Sequence, residues 1–103
     1  MLEAKFYIGQ IIHHKRFGYR GVVYGVDPYF SGSEDWYETM ATSRPPKDKP
    51  WYYVLVDGAK HTTYVAEQNL KAGDDLSQIE HPLTKEFFKG HDGERYLPTQ
   101  RTN

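Results

Sequence analysis

The run Trp51-Tyr52-Tyr53-Val54-Leu55-Val56 constrains the fold more than any other stretch of the chain. Trp51, Tyr53 and Leu55 alternate with Tyr52, Val54 and Val56, so a strand here is apolar on both faces. Such a strand belongs in the middle of a sheet, with cover on each side. Pro50 precedes it, and Asp57-Gly58, a hairpin signal, follows it. Lys60 to Val65 is then the returning strand.

The flanking segments supply the rest of the sheet. Phe6 to His14 reads as a strand, with Gly9 marking a bend or bulge. Lys15 to Tyr19 has the glycine and basic residues of an exposed turn, and Arg20 to Val26 follows as a β-branched run that Asp27-Pro28 closes. Glu67 to Leu70 looks like a tight turn into a last short strand, Leu70 to Ala72. Five short strands, linked mainly by hairpins, predict a mainly β fold, a small curled barrel of about residues 5–72.

Two segments stand outside this pattern. Tyr29 to Pro50 is a long polar loop broken by Gly32, Pro45, Pro46 and Pro50, and loops of that length are usually functional or mobile. Within it Ser33 to Met40 resembles a short helix, with Ser33 as N-cap and Glu34 and Asp35 in the first turn. The tail from Gly73 is acidic and polar up to Pro82, which suits a first helical position. Leu83, Phe87 and Phe88 then share one face of a short helical segment, expected to dock on the outer face of the Trp51 strand. Gly90 to Gly93 reads as a turn and Tyr96-Leu97-Pro98 as an anchor. With 103 residues there is room for one domain, taken as 1–98, with a frayed end at 99–103.

Composition limits the function. Without cysteine there is no disulfide framework, thiolate metal site or thiol nucleophile. No apolar run approaches the roughly 20 residues that cross a bilayer, and Met1 to Gln10 has no signal-peptide pattern, so a cytoplasmic protein is expected. The adjacent pairs Glu80-His81, His91-Asp92 and His13-His14 lack metal or catalytic spacing, and the glycines are spread along a hairpin and form no phosphate loop. Neither enzymatic chemistry nor a cofactor is expected. A formal net charge of −1 gives no global attraction to nucleic acid, so any such contact must be local. Aromatic residues make up 16% of the chain, and nine tyrosines dominate them. That enrichment suits strands and adhesive surfaces.

Read together, Phe6-x-Ile8-Gly9-Gln10, His14-Lys15-x-x-Gly18-Tyr19-x-Gly21-Val22-Val23, Val26-Asp27-Pro28, Pro50-Trp51-Tyr52-x-Val54-Leu55-Val56 and Thr63-Tyr64-Val65-Ala66-Glu67-x-Asn69-Leu70 resemble the YccV-like family, whose members include heat-shock proteins of HspQ type. The resemblance spans Lys5 to Leu70. It implies an SH3-like barrel, often a homotrimer, that binds hemimethylated DNA or modulates substrate choice by the ATP-dependent protease Lon. The tail from His81 to Pro98 resembles the version of the domain with an extra closing segment and departs from the shorter HspQ pattern.

Candidate sites follow from both readings. For DNA they are His14, Lys15, Arg16, Tyr19 and Arg20 of the hairpin, where cations alternate with aromatics, extended by Arg44, Lys47 and Lys49 of the loop. Reading a methyl group would call on Phe17 or Tyr19. The bland alternative is a solvated turn. For a protein partner, a Lon-type protease or its substrates, they are Trp36, Tyr37 and Met40 of the loop with Trp51 and Tyr53 of the aromatic strand. Trp36 and Tyr37 would equally well pack on their own barrel or on a neighbouring subunit. The expected role is regulation of stress proteolysis, with DNA binding as the alternative. A doubly apolar strand also leaves one face to be covered, either by another subunit or by the Phe87-Phe88 tail.

Overall fold

The computed structural model describes residues 3–99. Five strands form one antiparallel sheet: β1 (Ile11–His14), β2 (Arg20–Asp27), β3 (Trp51–Val56), β4 (Thr62–Ala66) and β5 (Leu70–Ala72), in the order β4-β3-β2-β1-β5. The doubly apolar run is the central strand, as its pattern requires. A 3-10 turn, Glu67–Asn69, carries the chain from β4 directly to β5 at the opposite end of the sheet order. All five strands contribute to one interior: Ile12, Val23, Tyr52, Val54, Val65 and Leu70 pack together, and a Tyr19 to Thr63 hydroxyl hydrogen bond of 2.8 Å ties the β1–β2 hairpin across to β4. The sheet therefore curls as an SH3-like barrel does.

The other face of β3 is covered from within the chain, in two halves. Over Trp51 lies the long loop, with helix α1 (Glu34–Met40) begun by Ser33, whose hydroxyl accepts the Trp36 amide at 3.1 Å. Tyr37 Oη donates to the Pro45 carbonyl at 2.6 Å and Trp51 Nε1 to the Pro46 carbonyl at 3.1 Å, so the proline-rich stretch is stitched to the sheet. Over Leu55 lies the tail, where Ile11, Val22, Leu55, Ile79, Phe88 and Tyr96 form a second core. The tail docks on the face predicted for it.

Its internal structure differs from the prediction. Helix α2 (Thr84–Phe87) is a single turn, and Phe88 opens β6 (Phe88–His91), which pairs with β7 (Tyr96–Pro98) in a separate two-stranded sheet. Gly90 and His91 thus lie in a strand. The turn is made one step later, where Asp92 Oδ1 accepts the Glu94 and Arg95 amides, each at 3.0 Å. Thr99 donates its amide to the Phe87 carbonyl at 3.0 Å, and residues 100–103, for which fraying is the expectation from sequence, lie outside the described residues.

Two further shifts follow from contacts with the distant tail. The first strand begins only at Ile11, because Gly9, at φ 98°, turns the chain so that its amide reaches the Val23 carbonyl and its own carbonyl accepts the Tyr96 amide, both at 2.8 Å. The β3–β4 connection is longer than a tight hairpin because Asp57 and Gly58 serve the tail. Asp57 Oδ1 accepts the Glu80 amide at 2.7 Å, and the Gly58 amide donates to the Glu80 carbonyl at 2.8 Å.

Candidate functional site

The β1–β2 hairpin tip is organised by His14. Its ring is 4% exposed and sits between Phe17 and Tyr19, with centroids 4.8 and 4.9 Å away. Nδ1 accepts the backbone amides of Arg16 and Phe17, both at 3.1 Å, and is therefore unprotonated. Burial, then the neighbouring His13 and Arg16 charges, lowers the His14 pKa below 6.5. The folded state thus favours neutral imidazole, and His14 positions the tip. Its Nδ1 edge is occupied by the turn and unavailable to a phosphate.

A pH dependence follows. Because the folded pKa is depressed, the unfolded chain binds more protons just below its own value, so stability rises with pH in that window. The His14 contribution is fully present above about pH 6.5 and is lost as pH falls toward the folded pKa. Denaturant midpoints measured from pH 7.5 to pH 5 should fall in the wild type and fall less in His14→Gln.

The remaining DNA candidates divide sharply. Lys15 and Arg16 are exposed at the tip with no ion-pair partner among the described residues, beside Phe17, which is 71% exposed. Lys49 is likewise exposed. Arg20 is a clamp: its guanidinium pairs with Asp57 at 3.1 Å and donates to the carbonyls of Asp75, Ser77 and Gln78, holding the start of the tail on the sheet. Tyr19 is bonded to Thr63, Arg44 pairs with Glu38 at 2.9 Å, and Lys47 pairs with Glu34 at 2.8 Å while lying 4.3 Å from the Tyr37 ring. Of the candidate cations, Lys15, Arg16 and Lys49 have no ion-pair partner among the described residues, and two of these three are adjacent at the tip.

Of the protein-contact candidates, Trp51 and Tyr37 are core, 2% and 7% exposed, in an aromatic cluster with Phe30, Trp36 and Tyr64. Tyr53 and Tyr64 both donate to Asp27 Oδ2, at 2.9 and 2.6 Å, and these bonds together with burial raise both phenol pKa values. Met40 is 61% exposed. It faces a groove of about 460 Å³ that follows the free edge of β4 and is also lined by Arg16, Phe17, Trp36, Thr62 and Tyr64. Thr62 and Tyr64 were not among the sequence candidates. Their signal is topological: they sit on a strand that ends the sheet order, a position that no local pattern reveals.

Comparison with known proteins places this arrangement. Residues 4–95 match the family described as "Hemimethylated DNA-binding protein YccV like". The chain belongs to the YccV-like family. The match extends beyond the barrel through most of the tail, so β6 and the approach to β7 belong to the family's domain. Among curated relatives it is similar to F-box only protein 21 of Homo sapiens and of Pongo abelii, 34% identical over 88% of this chain, and of Mus musculus at 33%. It spans only 15% of the length of those relatives. No helix among the described residues is long and apolar enough to cross a membrane, and no group of three metal-ligating side chains is found among them.

Proposed function

We propose that this YccV-like chain is a non-catalytic, cytoplasmic binding module that grips double-stranded DNA with the tip of the β1–β2 hairpin and prefers hemimethylated sites. The observation that carries this reading is the tip itself: Lys15 and Arg16 exposed without an ion-pair partner among the described residues, Phe17 exposed beside them, and His14 bracing the turn. β1 and β2 are each paired on their outer side, with β5 and β3, so the part free to enter a major groove about 12 Å wide is the turn Lys15 to Gly18. The cations neutralise phosphates, and an exposed aromatic ring meets a base methyl group by apolar contact. The family description supports the ligand class.

Fluorescence anisotropy with a labelled hemimethylated duplex tests this. Affinity is expected to fall steeply with salt, and Lys15→Ala or Arg16→Ala to weaken binding at every sequence while reducing the salt slope by about one each. Phe17→Ala is expected to narrow the gap between hemimethylated and unmethylated duplexes. Salt-insensitive binding, or variants indistinguishable from wild type, would remove the reading.

A second reading, an HspQ-type adaptor for a Lon-type protease, is favoured by a different observation. Met40 and Phe17 are exposed beside an open strand edge, which is the means by which many domains hold peptide. The similarity to F-box only proteins is compatible with a protein-binding use of the same domain.

A further inference from the structure

The edge of β4 carries an inference about what the groove holds. Antiparallel pairs alternate between those that exchange hydrogen bonds and those that turn their amides and carbonyls outward. The Glu67 amide bonds the Pro50 carbonyl, and the Asp57 amide bonds the Arg20 carbonyl, which fixes the phase of the alternation across β3. Tyr52 with Val65 and Val54 with Thr63 are therefore the bonded pairs. Thr62, Tyr64 and Ala66 present their backbone groups away from β3. Ala66 is buried beneath the α1 loop, but the outward groups of Thr62 and Tyr64 have no partner among the described residues.

Sheet edges are usually blunted by charge or proline. The strand Thr62-Thr63-Tyr64-Val65-Ala66 carries neither. Instead the edge is walled on both sides. Thr62 and Tyr64 share a face with Trp51, toward α1 and Met40, whereas Thr63 faces the hairpin through Tyr19. Each wall offers an exposed apolar side chain, Met40 at 61% and Phe17 at 71%. Among the described residues Arg16 is the ionised side chain lining the groove, and it has no carboxylate partner.

We propose that the β4 edge is a peptide site: an extended segment of a partner protein adds as a strand against Thr62 and Tyr64. Neighbouring side chains of that strand point to opposite walls, so one apolar residue meets Met40 and the next meets Phe17, and a carboxylate meets Arg16. The unpaired main-chain groups select extended polypeptide, since a nucleic acid has no alternating amide ladder to offer them. Charge complementarity at Arg16 selects an acidic segment. This inference deepens the adaptor reading, on which it rests for its ligand class, and its test needs no protease.

A random-peptide display library is selected on the full chain, and an enriched peptide is then synthesised plain and with alternate amides N-methylated. Acidic sequences with adjacent apolar residues are expected, with the N-methylated form failing to bind. Thr62→Pro should weaken the plain peptide about tenfold or more. Thr62 is exposed and opens the strand, and its N–H points to solvent, so proline fits there and the melting temperature should hold. Arg16→Glu should reverse the preference for acidic peptides. No enrichment, or equal binding of the N-methylated form and by Thr62→Pro, would overturn the proposal. Self-association through β4 that Thr62→Pro abolishes would instead assign the edge to a second copy. If peptides bind while turnover of a Lon model substrate is unchanged by this protein, the adaptor reading falls and the peptide site stands.

Discussion

Replacing Trp51 with alanine is expected to destabilise the fold by about 3–5 kcal/mol, the range for removing a buried large aromatic. Trp51 is 2% exposed and joins the central strand to the long loop. Its ring meets Phe30 edge-on at 4.9 Å and stacks on Tyr64 at 5.2 Å, and its Nε1 holds the Pro46 carbonyl. Alanine removes all three contacts and leaves a cavity between sheet and loop that the proline-rich stretch is too stiff to fill. Urea denaturation should show the loss, and hydrogen exchange should show α1 opening before the sheet. Trp51→Phe keeps most of the packing and leaves one carbonyl without its donor. Its cost should be smaller, about 1–2 kcal/mol.

The second large effect is expected from Gly9→Ala, a substitution that adds a single methyl group. At φ 98° an L-residue is strained, and a Cβ would overlap the Tyr96 carbonyl oxygen, which is backbone and cannot swing aside. The chain must separate there, and the bonds from Gly9 to Val23 and Tyr96 separate with it. Strain and overpacking together predict about 2–5 kcal/mol, with faster exchange of the Tyr96 and Phe88 amides as the tail lifts from Leu55. Gly18 is the control: its φ is 76°, but nothing lies within 4 Å of its Cβ position. Gly18→Ala should cost only about 1–2 kcal/mol, the strain alone.

These two residues also show where sequence reading succeeds and fails. The central place of Trp51 to Val56 was legible because a strand apolar on both faces admits few positions in a sheet, and Ser33 was legible as a cap because its chemistry is local. The bend at Gly9 was visible, but its reason, a tail strand passing within contact distance, lies far along the chain. Phe88 to His91 and Tyr96 to Pro98 are too short for an alternating pattern to stand out, and a helical spacing of Leu83, Phe87 and Phe88 masked them.

The candidate site was legible only in outline. Composition marked the basic hairpin, yet it cannot distinguish Lys15 and Arg16, which face solvent, from Arg20, which clamps the tail through Asp57 and three carbonyls. Likewise His14 reads as one more cation in a basic run. Its burial and the two amides it accepts make it a neutral brace for the turn. Tyr37 and Trp51 were singled out as adhesive aromatics because enrichment does not reveal which rings face inward. Met40 and Phe17 are the apolar side chains left exposed at the groove.

The claim that the hairpin tip is the DNA-contacting surface is tested most directly by amide chemical-shift mapping during titration with a hemimethylated duplex. The account predicts the largest shifts at Lys15, Arg16, Phe17 and Gly18, with the tail strands Phe88–His91 and Tyr96–Pro98 unmoved. Shifts concentrated on the tail, or none at duplex concentrations that saturate binding, would contradict it.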